Sequence, residues 1–319
     1  MRKLLTFCAL LGAVGFFPVA KAESFPLSVN FTYQNGAFQT FVLPGSTHST
    51  FAGINNSGEI AGTMSLPGQG TVGFIYDSGI TTTFQFPGSL PGTSTYFAGI
   101  NDSGQVAGFY LNGFEPGTPY QAFLFQSGAF TPLNLPAFNT AISGINNAGQ
   151  IVGTYTTNSL YDYQGFVAST ATGSFSTIPF LPGGISNSGE IVGFSSTLAG
   201  VVGVVDSGGT ISSFGIPGAA YIYPTGINAS GQIIGGYGLP GETVEHGFLF
   251  SNNTFTTIDY QAYQVSGNTV LTGINDNGEI VGYFVQTPEP STLISLGLGM
   301  LALLASVWFK RSSAIVFRR

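Results

Sequence analysis

The sequence predicts an all-β protein: a six-bladed β-propeller of four-stranded repeats, each about 44 residues long, closed by its own N- and C-terminal strands. Three observations carry this expectation. A glycine-rich decapeptide recurs six times, an aromatic hairpin sequence recurs between the copies, and the chain begins and ends out of phase with the repeat.

The decapeptides begin at Gly53, Gly99, Gly144, Gly184, Gly226 and Gly273, with spacings of 46, 45, 40, 42 and 47 residues. The first reads Gly-Ile-Asn-Asn-Ser-Gly-Glu-Ile-Ala-Gly and ends at Gly62. Its Asn55 can accept from the backbone two residues on, and Gly58 suits a type I turn closed by a left-handed residue. That is the common bulged loop between two antiparallel strands. The Ile-Ala or Ile-Val that follows is β-prone, and the closing glycine is expected to permit close backbone approach at a crowded axis.

The second element reads Gly73-Phe-Ile-Tyr-Asp-Ser-Gly79, with relatives at Ala122–Phe130 and Gly247–Phe255. Alternating apolar residues broken by Ser-Gly or Asx-Gly make it a second hairpin, which gives four strands per unit and about twenty-four in all. A copy of this second hairpin, from Phe31, precedes the first decapeptide, and the chain's last repeat segment is a first hairpin, from Gly273. Five blades are therefore complete in sequence, and the sixth needs both ends, which is how propellers protect their edges. An open β-solenoid is the alternative; a rod-like scattering profile would favour it over a compact disc.

Composition narrows the function. Of 319 residues, 43% are apolar and 14% aromatic but only 7% charged. The 47 Gly and 17 Pro make up about a fifth of the chain, short of the roughly 25–30% of low-complexity sequences. All seven basic residues lie at the ends, and from Glu23 to Thr287 there is no Lys or Arg. Such a body cannot neutralise phosphates, so nucleic acid is excluded as a partner, and a P-loop lacks its Lys. Cys8, the only cysteine, falls in the N-terminal segment, so the body has no disulfide and no thiolate metal site.

Residues 1–22 have the order of a secretory signal: Arg2 and Lys3, an apolar run from Leu4, and a small-residue site with cleavage expected after Ala22. The repeat body spans 23–287. Thr292 to Phe309 then runs without a charge, about 27 Å as a helix, and stops at Lys310 and Arg311. Those two cations place the C-terminus in the cytoplasm before processing and leave 312–319 as a short cytoplasmic tail. Ahead of this expected transmembrane helix stand Pro288, Glu289 and Pro290.

That order, Pro-Glu-Pro, apolar helix and basic cluster over 288–311, resembles the PEP-CTERM sorting tail of Gram-negative bacteria. The resemblance implies processing by a membrane-embedded exosortase and display or release outside the cell, often alongside exopolysaccharide. Residues 312–319 depart from the pattern, since such tails usually end within the basic cluster. The turn-plus-aromatic repeats also resemble the extracellular HAF repeats. Glu245-His246-Gly247-Phe248 matches best, with Gly for Ala; Gln121-Ala-Phe123 and Gln164-Gly-Phe166 match without the His. This resemblance implies an extracellular β-rich repeat and no particular activity.

Candidate chemistry is sparse. His246 fills a slot occupied elsewhere by Val72, Gln121, Gln164 and Val202, which points to structure, and His48 lies in what reads as an exposed loop. No Gly-x-Ser-x-Gly elbow occurs in the body. The residue after the turn glycine is Glu59, Gln105, Gln150, Glu190, Gln232 or Glu279; the Glu/Gln mixture suggests hydrogen bonding to a neighbouring strand. The functional alternative makes Glu59, Glu190, Asp276 and Glu279 a candidate sugar or cation face, with calcium the hard ion to consider. Tyr110, Tyr120, Tyr161, Tyr163, Tyr221 and Tyr223 are expected in inter-hairpin loops, where they could stack on sugars. The expected protein is thus an exported, non-catalytic repeat protein of the polysaccharide matrix without a required cofactor; the alternative is a propeller-type glycan hydrolase or lyase.

Overall fold

The computed structural model describes residues 28–87, 93–111, 119–157, 162–198, 200–261 and 267–286. The expected signal and transmembrane helices, with Ala22, Pro288, Glu289, Pro290, Lys310 and Arg311, lie outside the described residues.

The chain enters with β1 (Ser28–Gln34) and β2 (Ala37–Phe41). Blade 1 follows as β3 (His48–Ile54), β4 (Ile60–Leu66), β5 (Gly70–Asp77) and β6 (Ile80–Phe84). Blade 2 is β7 (Ser94–Ile100), β8 (Val106–Leu111), β9 (Gln121–Gln126) and β10 (Ala129–Pro132). Blade 3 is β11 (Phe138–Ile145), β12 (Gln150–Thr156), β13 (Tyr163–Ser169) and β14 (Phe175–Ile178). Blade 4 is β15 (Leu181–Ile185), β16 (Ile191–Thr197), β17 (Gly200–Ser207) and β18 (Thr210–Phe214). Blade 5 is β19 (Tyr221–Ile227), β20 (Ile233–Gly238), β21 (His246–Ser251) and β22 (Thr254–Ile258). The last strands, β23 (Gly267–Ile274) and β24 (Ile280–Gln286), join the first two in a sheet ordered β2-β1-β24-β23. Among the described residues there are six four-stranded sheets. The sixth is closed by antiparallel pairing of β1 with β24, in the phase the sequence predicts.

Both turn types form as their residues dictate. Gly58, Gly104, Gly149, Gly189, Gly231 and Gly278 all have positive φ. In blade 1 the Gly58 N–H donates to Asn55 O at 3.1 Å, closing the turn. In the outer hairpins, Asn35-Gly36, Ser78-Gly79, Ser127-Gly128, Gly208-Gly209 and Asn252-Asn253 have two successive positive φ values. That pair of conformations defines the type I′ turn that matches strand twist.

The dipeptide after each decapeptide turn divides its side chains between two interfaces. Ile60, Val106, Ile151, Ile191, Ile233 and Ile280 pack in the core of their own blade. Their neighbours Ala61, Ala107, Val152, Val192, Ile234 and Val281 pack in the core of the blade that follows, with Val281 reaching blade 1. Strand alternation sends adjacent residues to opposite faces of a sheet, so two apolar residues in a row knit three blades together.

The two glycines of the decapeptide have different tasks, and here the structure corrects the sequence-based expectation. The opening glycine, not the closing one, lies against its counterparts in adjacent blades. A Cβ on Gly53 would lie 3.1 Å from Gly99 Cα, one on Gly184 2.9 Å from Gly226 Cα, and one on Gly273 2.9 Å from Gly53 Cα. The closing glycine sits inside its blade, directly opposite a phenylalanine of the next strand: Gly62 faces Phe74, Gly108 Phe123, Gly153 Phe166, Gly235 Phe248 and Gly282 Phe31. Each of these five rings is 0% exposed, and blade 4 has Val204 in that place. Without a Cβ, the glycine leaves the ring a floor of bare backbone.

Candidate functional site

At the turn end of the axis the decapeptide asparagines form a ring. Asn55 Oδ1 accepts from Ser57 N (3.1 Å) and Glu59 N (2.9 Å), fixing its own turn. Its Nδ2 donates to Glu59 Oε2 (2.6 Å) and, across the blade joint, to Asn101 O (3.2 Å). The same step runs from Asn101 to Asn146 O, Asn146 to Ser186 O, Asn228 to Asn275 O, and Asn275 to Asn55 O, each at 3.1 Å. All five asparagines are at most 4% exposed. Ser186 interrupts the series: its hydroxyl accepts Glu190 N (3.0 Å), but it has no amide to send to blade 5.

One residue further along, a second ring runs blade to blade. Asn56 N donates to Asp102 Oδ1 (2.8 Å), Asp102 N to Asn147 Oδ1 (2.9 Å) and Asn147 N to Asn187 Oδ1 (2.9 Å). Ala229 N donates to Asp276 Oδ1 (2.8 Å), and Asp276 N to Asn56 Oδ1 (2.8 Å). Ala229 has no side-chain acceptor, so this ring also stops between blades 4 and 5. Asp276 Oδ2 accepts from both Asn56 and Asn187 Nδ2. Burial disfavours the Asp276 carboxylate, but these three donors outweigh it, so its pKa lies below the ordinary 3.8. Its contribution to stability is present above that value and lost as pH falls through the lowered one.

The sequence-derived acids thus fall into two groups. Asp276 belongs to the second ring. Glu59 accepts from its own Asn55, and Glu190 from Ser207 Oγ (2.7 Å) and Ser188 Oγ (3.4 Å). For Glu279 the described bond is through its backbone, with N donating to Asn275 Oδ1. Gln105, Gln150 and Gln232 likewise accept from the asparagine of their own turn. The expected neighbouring strand is met at two positions, Ser207 of β17 for Glu190 and Gln126 of β9 for Gln105 (3.2 Å); the five-residue turn supplies the nearer amide partner. Among the described residues no group of three His, Cys, Asp or Glu is arranged to hold a metal. The axis itself is narrow: cavities of about 50 and 70 Å³ lie along the isoleucine and glycine rings, room for very few waters.

His246 is held by two carboxylates, a contact invisible in the sequence. Its Nε2 meets Glu242 Oε2 at 2.9 Å, in the β20–β21 connection, and its Nδ1 meets Asp259 Oδ2 at 2.8 Å, just after β22. The slot has a local logic. Gln121 accepts from Tyr110 Oη (2.6 Å) and Gln164 from Tyr155 Oη (2.9 Å), whereas Val72 and Val202 stand opposite Met64 and Ser195. His246 stands opposite Tyr237, ring centres 5.2 Å apart. Burial disfavours the imidazolium, but the bonds and charges of Glu242 and Asp259 outweigh it and raise its pKa above 6.5. The resulting stability is complete below 6.5 and is lost as pH rises through the raised value. His246→Gln, copying blades 2 and 3, should therefore lower the melting temperature more at about pH 5.5 than at about pH 8.5. Thermal scans across that range check this; a deficit that grew with pH would contradict it.

The tyrosines are also relocated. Tyr110 lies within β8, Tyr163 opens β13, and Tyr221 and Tyr223 lie in β19, because the strands extend past the repeated motif. Tyr120 directly precedes β9, and Tyr161 lies outside the described residues. His48 is exposed as expected but begins β3 rather than sitting in a loop.

Fold and rings define a six-bladed β-propeller of four-stranded blades with a closed axis. The chain also carries a sorting tail: residues 286–311 match the family model of the PEP-CTERM protein-sorting motif. The motif implies an exported exosortase substrate at the cell surface of a Gram-negative bacterium. Among solved structures, one described as TolB from Agrobacterium tumefaciens is similar at TM-score 0.60 and 10% identity, covering 82% of this chain and 99% of that one. TolB from Acinetobacter baumannii (TM-score 0.41, 13% identity, 55% and 44% covered) and a lectin of Aleuria aurantia (0.43, 12%, 72% and 85%) are more distant. The first likeness is one of fold alone. No curated protein matches by sequence. The HAF-type resemblance finds no support in these comparisons.

Proposed function

We propose that the protein is a non-catalytic propeller that binds extracellular polysaccharide at the cell surface. The observation that carries this reading is the use of its polar groups. Asp102 and Asp276 each accept three amide donors at the axis, and Glu59, Glu190 and His246 are engaged within or between turns. General acid–base catalysis needs such groups within reach of a substrate proton; here they hold blades and loops. The sorting tail supplies the location, and a body without Lys or Arg turns away phosphates and polyanions. The HAF-like repeats fit an extracellular setting. Before processing, cleavage after Ala22 and the stop at Lys310 and Arg311 leave the precursor in the inner membrane with its C-terminus in the cytoplasm.

A glycan array probed with the full chain tests the reading, with reducing ends assayed in the same wells. Retention on glycans without release of reducing ends is expected. Absence of binding to any glycan would refute the binding role, and product release would refute the non-catalytic one.

A further inference from the structure

The repeat is shortest between Gly144 and Gly184, at 40 residues. The missing residues come from one place. Elsewhere the outer strand of one blade reaches the inner strand of the next through five to nine residues; β14 reaches β15 through Pro179 and Phe180 alone. After two of the longer linkers, the inner strand brings polar groups to the joint. Asn139 Oδ1 accepts Tyr120 N (3.1 Å), and Thr140 N donates to Tyr120 O (3.0 Å). At blade 5 the same pair of bonds joins Glu245 to Asn268 (2.8 Å) and Thr269 (3.1 Å). Tyr163 is the counterpart of Tyr120 and Glu245, three residues before the buried phenylalanine. Pro179-Phe180 offers it no asparagine.

What forms instead is a cleft of about 560 Å³ between blades 3 and 4, far larger than the axial cavities and inside the roughly 300–1,000 Å³ range of small-ligand sites. Tyr163, 49% exposed, and Ile178 give it apolar walls and Ser195 adds a hydroxyl, while Gln164, Thr177 and Phe194 complete the lining. The Gln164 amide turns to the opposite face of β13, where its Oε1 accepts from Tyr155 in the core shared with blade 2. The Phe194 ring turns toward blade 5, edge-on to Tyr223 with ring centres 4.8 Å apart. Among the described residues, no Asp, Glu, His, Lys or Arg lines the cleft.

We infer that this cleft is the glycan subsite of the protein and that it takes a neutral saccharide, stacked on Tyr163 and hydrogen-bonded by the Ser195 hydroxyl. The inference rests on the polysaccharide-binding reading and names its site. An exposed aromatic face beside a neutral hydroxyl suits a sugar ring, which presents C–H on its faces and hydroxyls on its rim. A uronate or sulfated sugar would bring charge to a cleft with no cation, in a body with thirteen acids between Glu23 and Thr287.

Calorimetric titration of the full chain with dextran, and with alginate as the anionic counterpart, tests this. Tyr163→Ala should weaken dextran binding by about tenfold or more, the scale of one lost aromatic contact, while Tyr163→Phe should stay close to wild type. Both variants should melt like wild type, because the ring is half exposed. Wild-type binding to dextran left unchanged by Tyr163→Ala would overturn the cleft but keep polysaccharide binding. Equal or tighter binding of alginate would overturn the neutral class. If the chain binds neither polymer and the array is also blank, polysaccharide binding itself falls.

Discussion

Phe31→Ala should destabilise the protein by about 3–5 kcal/mol, the cost of emptying a closed aromatic site. Phe31 is 0% exposed and stands directly opposite Gly282, in the joint where β1 meets β24. Phe38 packs on it edge-on with ring centres 5.0 Å apart, and Tyr260 stacks at 6.0 Å. The other four cross-strand phenylalanines each lie within one continuous blade; this one helps hold the two ends of the chain together. Its loss therefore adds a cavity to the only sheet whose halves are distant in sequence. Urea unfolding of Phe31→Ala beside Val42→Ala, whose side chain is 76% exposed, measures the effect. A Phe31→Ala midpoint indistinguishable from that of Val42→Ala would show that the closing blade is not a stability determinant.

Asn275→Ala is the second large change. It removes the acceptor for Asn277 N and Glu279 N and the donor to Asn55 O, the step by which blade 6 meets blade 1. Each buried group left without a partner costs about 1–3 kcal/mol. Asn275→Asp separates the roles, because it keeps the turn's acceptor and sets a carboxylate against the Asn55 carbonyl. It should be destabilising even though the turn survives. The converse change is available at Ser186, where an asparagine would supply the missing amide to Asn228 O. Ser186→Asn should add about 0.5–1.5 kcal/mol, a rise of about 2–4 °C per kcal/mol in melting temperature. Differential scanning calorimetry of the three variants checks the order Ser186→Asn above wild type above Asn275→Ala. A Ser186→Asn protein that melts below wild type would show that the break in the ring is required by the backbone of the joint between blades 4 and 5.

Why these residues matter was only partly legible in the chain. The decapeptide announces its turn, since Asn at the start and Gly at the fourth position have local reasons to be there. Nothing local says that Asn55 also donates to Asn101, 46 residues away, or that Asn56 and Asp276 bond across the closure. The Glu/Gln alternation at Glu59 and Gln105 was readable as shared hydrogen bonding, but not that the asparagine of the same turn donates to both. His246 was readable as a structural slot through Gln121 and Gln164. Its grip on Glu242 and Asp259 depends on how two separate connections of blade 5 come together in the fold. The cleft between blades 3 and 4 was present in the sequence only as a spacing of 40, and a short spacing reads equally well as a trimmed loop.

The absence of fixed cations, the hairpin-turn chemistry, the count of repeats and their phase follow from the sequence alone, because each depends on residues near one another or on simple counting. Circular closure follows too, since five complete units and two complementary halves leave one economical arrangement. The tertiary structure decides which glycine faces the axis, which acids are spent on blade joints, and where a ligand-sized space remains. Those outcomes depend on radial packing: six copies of one motif meet at the axis, where backbone, amide and carboxylate must satisfy one another within a few ångströms. The local pattern fixes each turn; the ring fixes what is left to bind.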